Sequence, residues 1–284
     1  MSECYRQLFI KNSEVISREN FSDSMITEGT SLYEVVRVIE GVPLFLEKHL
    51  ERLKNSAAIV KLELWMNIGE IKGKMLELMK INNVYEGNIK LVFNYSEKKE
   101  ENTFLTYFLK HHYPSKEQYK EGVPTITCFM ERSNPNAKVI NSNLKSTTDE
   151  MMKKTGAYEA ILIDKNNKIT EGSRSNIFMV EKDTVVTSPV EDVLPGITRE
   201  FIIEACRREN IRFLEERVDH RDIDKLDALF ITGTSPKVLP INKVNDNVFY
   251  SSTNIVVQNI MSAYNRIIEE YIRNNKENIK LDEN

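Results

Sequence analysis

Cysteine is scarce in this chain, and what there is excludes two classes of site. Cys4, Cys128 and Cys206 are odd in number and far apart, so they form neither a disulfide framework nor a CxxC metal motif. Histidine is almost as sparse. His49, His111, His112 and His220 show no HExxH or comparable ligand spacing, so no metal site is expected. A GxSxG elbow is absent, which removes the usual frame for Ser-His-Asp hydrolysis. No apolar run approaches the roughly 18 residues that span a bilayer, and the start, MSECYRQLFIKNSEV, has no long apolar core behind a basic beginning. A cytoplasmic protein with no membrane partner is expected. The formal net charge is a mild −4, which implies no general attraction to nucleic acid. No repeat of fixed period is present.

At 284 residues the chain has room for two domains or one large one. Residues 7–16 read as two short strands across a Lys11-Asn12-Ser13 turn, and 32–39 as a buried strand rich in β-branched residues. Leu46, Leu50, Leu53, Ala57 and Val60 recur at helical spacing, predicting a helix over 45–60 whose other face carries His49, Arg52 and Ser56. A second helix over 67–81 and strands over 88–94 and 103–110 complete a small α+β domain, residues 1–115. The polar stretch 116–122 reads as a linker, and 123–284 as a larger, strand-rich, barrel-like domain. That second domain is expected to hold strands over 124–130, 158–163, 168–180, 184–188, 211–218 and 226–232, with helices over 143–155, 199–210 and 256–271. The polar end, 274–284, is expected to fray.

The chemistry centres on 156–176, GAYEAILIDKNNKITEGSRSN, with Lys138 placed 33 residues ahead of Glu171. A carboxylate leaving a strand into a small-residue turn, with a lysine upstream, suits a protein that holds an aromatic nitrogen heterocycle at one end and an imine at the other. Pyridoxal 5'-phosphate is such a group, and it needs a lysine, a charged partner for the ring nitrogen and an anion site. Glu171 fits the ring nitrogen, although a surface glutamate at a strand end has the same local sequence. Gly196-Ile197-Thr198 ahead of a helix fits the phosphate, and Gly233-Thr234 offers a second such loop; either is also ordinary punctuation. Arg52 could add a charge-assisted contact or could simply be solvated.

Across nearly its whole length the chain resembles the class IV, fold type IV, pyridoxal-phosphate aminotransferases, which include branched-chain and D-amino-acid aminotransferases and aminodeoxychorismate lyase. The resemblance rests on LYEVVRV (32–38), HLERL (49–53), KVIN (138–141), YEAIL (158–162), TEGSRSN with the following Ile-Phe (170–178), PGITR (195–199) and ITGTS (231–235), in order. It implies a two-domain α+β fold, a small α/β sandwich plus a larger pseudo-barrel with the cofactor between them, usually as a homodimer. It makes Lys138 the Schiff-base lysine and proton shuttle, because Lys138 opens K-x-[IL]-N and lies 20 residues before Tyr158. Lys145, in SNLKS, fails that spacing. Glu171 becomes the ring-nitrogen partner, and Arg52, Ile197, Thr198 and Thr234, with Gly233, the phosphate set. Ser173 and Asn176 join the cofactor residues, and Tyr33 lies near the substrate.

The resemblance weakens at the substrate carboxylate. D-amino-acid aminotransferases carry an arginine and a histidine where this chain has Asn94-Tyr95-Ser96, and branched-chain enzymes carry an arginine where Lys90 falls. Lys90 could receive a carboxylate as a point charge or be a solvated strand lysine. Arg174 is either a local anion contact or an outward residue pairing with an acid. The implied activity is transfer of an amino group from an amino acid, of branched-chain or D type, to a 2-oxo acid. The alternative is an aminodeoxychorismate-lyase-type elimination releasing pyruvate; Val35, where such lyases carry a threonine used in proton transfer, argues against it.

Overall fold

The computed structural model describes residues 2–110 and 113–281, so His111, His112 and the last three residues of the expected frayed end lie outside it. The chain divides into two compact units: one comprises the N-terminal part with Ala137–Ile140 and the chain from Ile268, the other Tyr113–Asn136 and Asn141–Ile267.

In the first unit, β1 (Leu8–Lys11) and β2 (Glu14–Ser17) make the expected hairpin, with Asn12 at φ 53°, a left-handed conformation that asparagine tolerates. The short α1 (Ser24–Thr27) precedes β3 (Thr30–Ile39), β4 (Val42–Pro43), α2 (Leu46–Ile59) and α3 (Ile68–Asn82). Then come β5 (Gly87–Tyr95) and β6 (Thr103–Leu109). The strands form one antiparallel sheet in the order β2-β1-β6-β5-β3-β4. Alternation along β3 sends Leu32, Val36 and Val38 to the face covered by Leu46, Leu50, Leu53 and Ala57 of α2 and by Ile71, Met75 and Leu78 of α3. Each fully buried side chain of this set contributes about 1.5–3 kcal/mol. Asn67 and Glu70 form a capping box that starts α3, and Asn83 in the left-handed region stops it.

In the second unit, α4 (Lys116–Glu121) leads to β7 (Val123–Phe129), α5 (Ser142–Thr155), β8 (Glu159–Ile163), β9 (Ile169–Gly172), β10 (Asn176–Glu181) and β11 (Thr184–Thr187). α6 (Ile197–Arg208), β12 (Arg212–Glu215), β13 (Ala228–Gly233), β14 (Lys237–Val244) and β15 (Asn247–Val248) follow, and α7 (Ile255–Leu281) closes the chain. The strands form a mixed, curled sheet in the order β12-β11-β10-β13-β14-β7-β8-β9, with β15 on β14. Its core is apolar, with Val123, Ile161, Ile177, Met179, Leu229, Ile231 and Leu239 all buried. The expected α+β class, a small unit and a larger barrel-like one, is the architecture present. Among the described residues no helix is long and apolar enough to cross a membrane.

Several boundaries differ from the sequence reading. The stretch read as a linker is α4, started by a Ser115/Gln118 capping box, a local signal that works without amphipathic periodicity in a helix too short to display it. Ala137–Ile140 groups with the first unit rather than the second, as does the chain from Ile268. The single strand expected over 168–180 is two, β9 and β10, broken by a turn at residues 173–175. Strand β14 has no counterpart in the sequence reading, because Pro240 interrupts its pattern. The end expected to fray from residue 274 instead continues α7 to Leu281.

Candidate active site

Lys138 sits in a short segment that extends the first sheet beyond the edge of β3. Tyr33 N–H donates to Lys138 O at 3.1 Å, Ile140 N–H donates to Ser31 O at 2.9 Å, and Leu32 and Val139 form an antiparallel bridge. On the other side, Lys138 N–H donates to Ser56 Oγ of α2 at 3.1 Å. The backbone is therefore fixed twice over, while the half-buried side chain brings its ammonium 4.6 Å from the centroid of the Tyr33 ring. Lys90 approaches that same ring at 5.0 Å. Far from being solvated, Lys90 is 5 % exposed and ion-paired with Glu3 at 2.7 Å, and Tyr107 donates its hydroxyl to the same Glu3 oxygen at 2.9 Å.

Arg52 is also buried. Its Nε and one terminal nitrogen donate to the two oxygens of Glu34, each at 2.7 Å, a fork that fixes the guanidinium plane. His49 Nδ1 lies 2.8 Å from Glu34 Oε2. Burial alone would raise the Glu34 carboxyl, but the charge and hydrogen bonds of Arg52, with His49, overcome it and hold the group at about 2. For His49 burial wins, and its pKa is lowered despite Glu34. The imidazole is then neutral near pH 7 and its Nδ1–H must be the donor, since a carboxylate only accepts.

In the second unit Glu171, on β9, is 3 % exposed. Arg132 Nε donates to its Oε1 at 2.8 Å and Leu194 N–H to its Oε2 at 3.2 Å, while Arg132 also reaches Ser173 O at 2.7 Å. The turn after Glu171 wraps a second buried carboxylate, Glu159. Ser173 and Ser175 donate their hydroxyls to its two oxygens at 2.5 and 2.8 Å, and the N–H groups of Ser173 and Arg174 point to it as well. This explains Gly172: a Cβ there would lie 2.1 Å from Ser175 Oγ. The Ser173 hydroxyl thus faces Glu159, and the exposed Arg174 pairs with Asp149 on α5.

The start of α6 is a candidate anion site. No side chain caps the N-terminus of α6, where Ile197 and Thr198 are buried, and Gly196 has no room for a Cβ, which would lie 2.0 Å from Asn176 Oδ1. Asn176 Nδ2 in turn donates to Leu194 O at 2.9 Å. Asn176 pairs across the sheet with Thr232, whose buried hydroxyl has no hydrogen-bond partner, and the next residues are the Gly233-Thr234 turn. Uncapped helix N–H groups, a Cβ-free approach and an orphaned hydroxyl fit a phosphate. The buried carboxylate Glu171 fits the ring nitrogen of pyridoxal phosphate. Arg132, Glu159 and Glu3 were not picked out by the sequence reading, because a charged residue in a polar loop, at the start of a strand or near a terminus looks solvated until its partner, 39, 14 or 87 residues away, is known.

The chain is 27% identical over 254 residues to the D-alanine aminotransferase of Bacillus licheniformis, covering 85% of this chain and 89% of that protein. It is 26% identical over 238 residues to a putative branched-chain-amino-acid aminotransferase of Methanocaldococcus jannaschii, covering 80% and 82%. The fold is that of the branched-chain amino acid aminotransferase of Escherichia coli, with a TM-score of 0.83 at 22% identity over 93% of this chain and 95% of that one. The family profile named amino-transferase class IV matches residues 31–244, well over half of the sequence, and the chain belongs to that family.

Proposed function

We propose that this chain is a pyridoxal-phosphate aminotransferase that moves the amino group of an amino acid, of branched-chain or D type, onto a 2-oxo acid. The observation that carries the reading is Lys138: its backbone is locked by β3 and by Ser56 while its amine lies 4.6 Å from the centroid of the Tyr33 ring, in a fixed position for repeated proton transfer. Family membership and the two curated relatives above support it. When bound, the cofactor supplies an electron-withdrawing ring that stabilises negative charge at the substrate α-carbon.

The protein's part is positioning and proton transfer. Lys138 Nζ would take the proton from the α-carbon of the amino donor and, in the reverse half of the cycle, would deliver one to the α-carbon of the 2-oxo acid. Glu171, held by Arg132 and Leu194, would keep the ring nitrogen protonated. The N–H groups of Ile197 and Thr198 and the Gly233-Thr234 turn would hold the phosphate, with the charge of Arg52 that the resemblance adds, while Asn176 ties β10 to Leu194 just before α6 and Ser173 holds the turn after β9 on Glu159. Tyr33 orients the substrate from β3. Lys138→Ala should abolish both amino transfer and the visible absorbance of the bound cofactor; survival of both would exclude this lysine. Release of pyruvate without an amino acceptor would instead mark the elimination chemistry, for which Val35 offers no hydroxyl.

A further inference from the structure

Lys90 and Lys138 lie within about 10 Å of each other, since their amines approach the same Tyr33 ring at 5.0 and 4.6 Å. An ammonium as buried as that of Lys90, with 7% of its side chain exposed, demands an anion. The chain supplies one itself. Glu3 lies 2.7 Å from Lys90, its carboxylate also accepts the Tyr107 hydroxyl, and its own side chain is only 23% exposed, so water dilutes the attraction little. Nor is Glu3 on a loose tail. Its N–H donates to Asp23 Oδ1 at 3.2 Å, the next residue, Cys4, is buried and bridges Leu109, and Tyr5 N–H donates to Phe108 O at 2.8 Å.

We propose that Glu3 is a specificity-determining residue: its carboxylate takes up Lys90 in the place of a second substrate carboxylate, so that the position beside Lys138 favours substrates whose side chain carries no negative charge. The proposal rests on the reading of Lys138 as the reactive lysine. The Glu3–Lys90 pair is formally neutral, and an incoming acidic side chain would have to break it while being repelled by the displaced Glu3. Replacing Glu3 by glutamine keeps the size of the side chain and a partner for Tyr107 but leaves Lys90 as a buried cation with no anion from Glu3.

The test is equilibrium binding of 2-oxoglutarate and of pyruvate, by calorimetry, to protein loaded with pyridoxal phosphate, where a 2-oxo acid binds without turnover. Relative to wild type, Glu3→Gln should tighten 2-oxoglutarate by about tenfold or more, as expected for one charge-assisted contact, and leave pyruvate nearly unchanged. Adding Lys90→Met should remove the gain. Glu3→Asp, which keeps the charge but shortens its reach, should give an intermediate gain and serves if the glutamine variant does not fold. An unchanged preference in both Glu3 variants, an equal gain for both acids, or a gain that persists without Lys90 would overturn the proposal. Absence of amino transfer by the wild type would defeat the aminotransferase reading alone, because the binding comparison stands without turnover.

Discussion

Glu34 shows how a single residue ties the first unit together. From the sequence it is a polar interruption in LYEVVRV; in the fold it is fully buried on the helix-facing side of β3, where the apolar pattern calls for a valine or leucine, and it holds Arg52 and His49 of α2. The reason for the exception lies 18 residues away in the chain and is invisible locally. A pH dependence follows. The Glu34 carboxyl is lowered from 4.5 to about 2 in the folded protein, so the stability it contributes is present above 4.5 and is lost as pH falls toward 2. His49 is lowered from 6.5, so the unfolded chain takes up its proton first and stability declines in the same direction below 6.5. Chemical denaturation as a function of pH should therefore show an acid limb. Glu34→Gln should flatten the part of that limb below 4.5 while costing on the order of 3 kcal/mol at neutral pH, since Arg52 is left buried without its carboxylate.

At the scale of elements, the start of α6 is the most informative. The sequence PGITR announces a helix start with a glycine, and that much is visible without a structure. Why it must be glycine is a tertiary fact, since Asn176, 20 residues earlier on β10, fills the space where a Cβ would stand. Gly196→Ala should push the N-terminus of α6 off Asn176, weakening pyridoxal-phosphate affinity by about tenfold or more and stability by about 1–3 kcal/mol, read by fluorescence titration and by thermal melting. A variant that binds the cofactor normally would place the phosphate elsewhere. The elements that the sequence concealed failed for identifiable reasons: α4 is too short for a period, β14 contains Pro240, and the break between β9 and β10 is imposed by the carboxylate of Glu159 drawing in Ser173, Arg174 and Ser175.

For the whole molecule, we propose a homodimer. The exposed apolar side chains Ile59 at the end of α2, Trp65 in the loop after it and Ile68 at the start of α3 would supply surface for such an association. Sedimentation should give twice the chain mass of 33.0 kDa, and Trp65→Glu should shift it toward one; a wild-type monomer at micromolar concentration would refute the dimer. The sequence alone determined the class of the fold and the apolar faces of α2 and α3, because periodicity is a property of neighbours in the chain; the exception is Ile68, expected inward but exposed since it opens α3. Lys138 and Glu171 came from the family resemblance and remain a proposal. Only the tertiary structure decided that Lys138 belongs with the first unit, that Arg132 holds Glu171, that Glu34 fixes the guanidinium plane of Arg52 and that Glu3 already occupies Lys90. Each of those pairs joins residues 18 to 87 positions apart, and the energy that makes them comes from burial and charge, which no local pattern encodes.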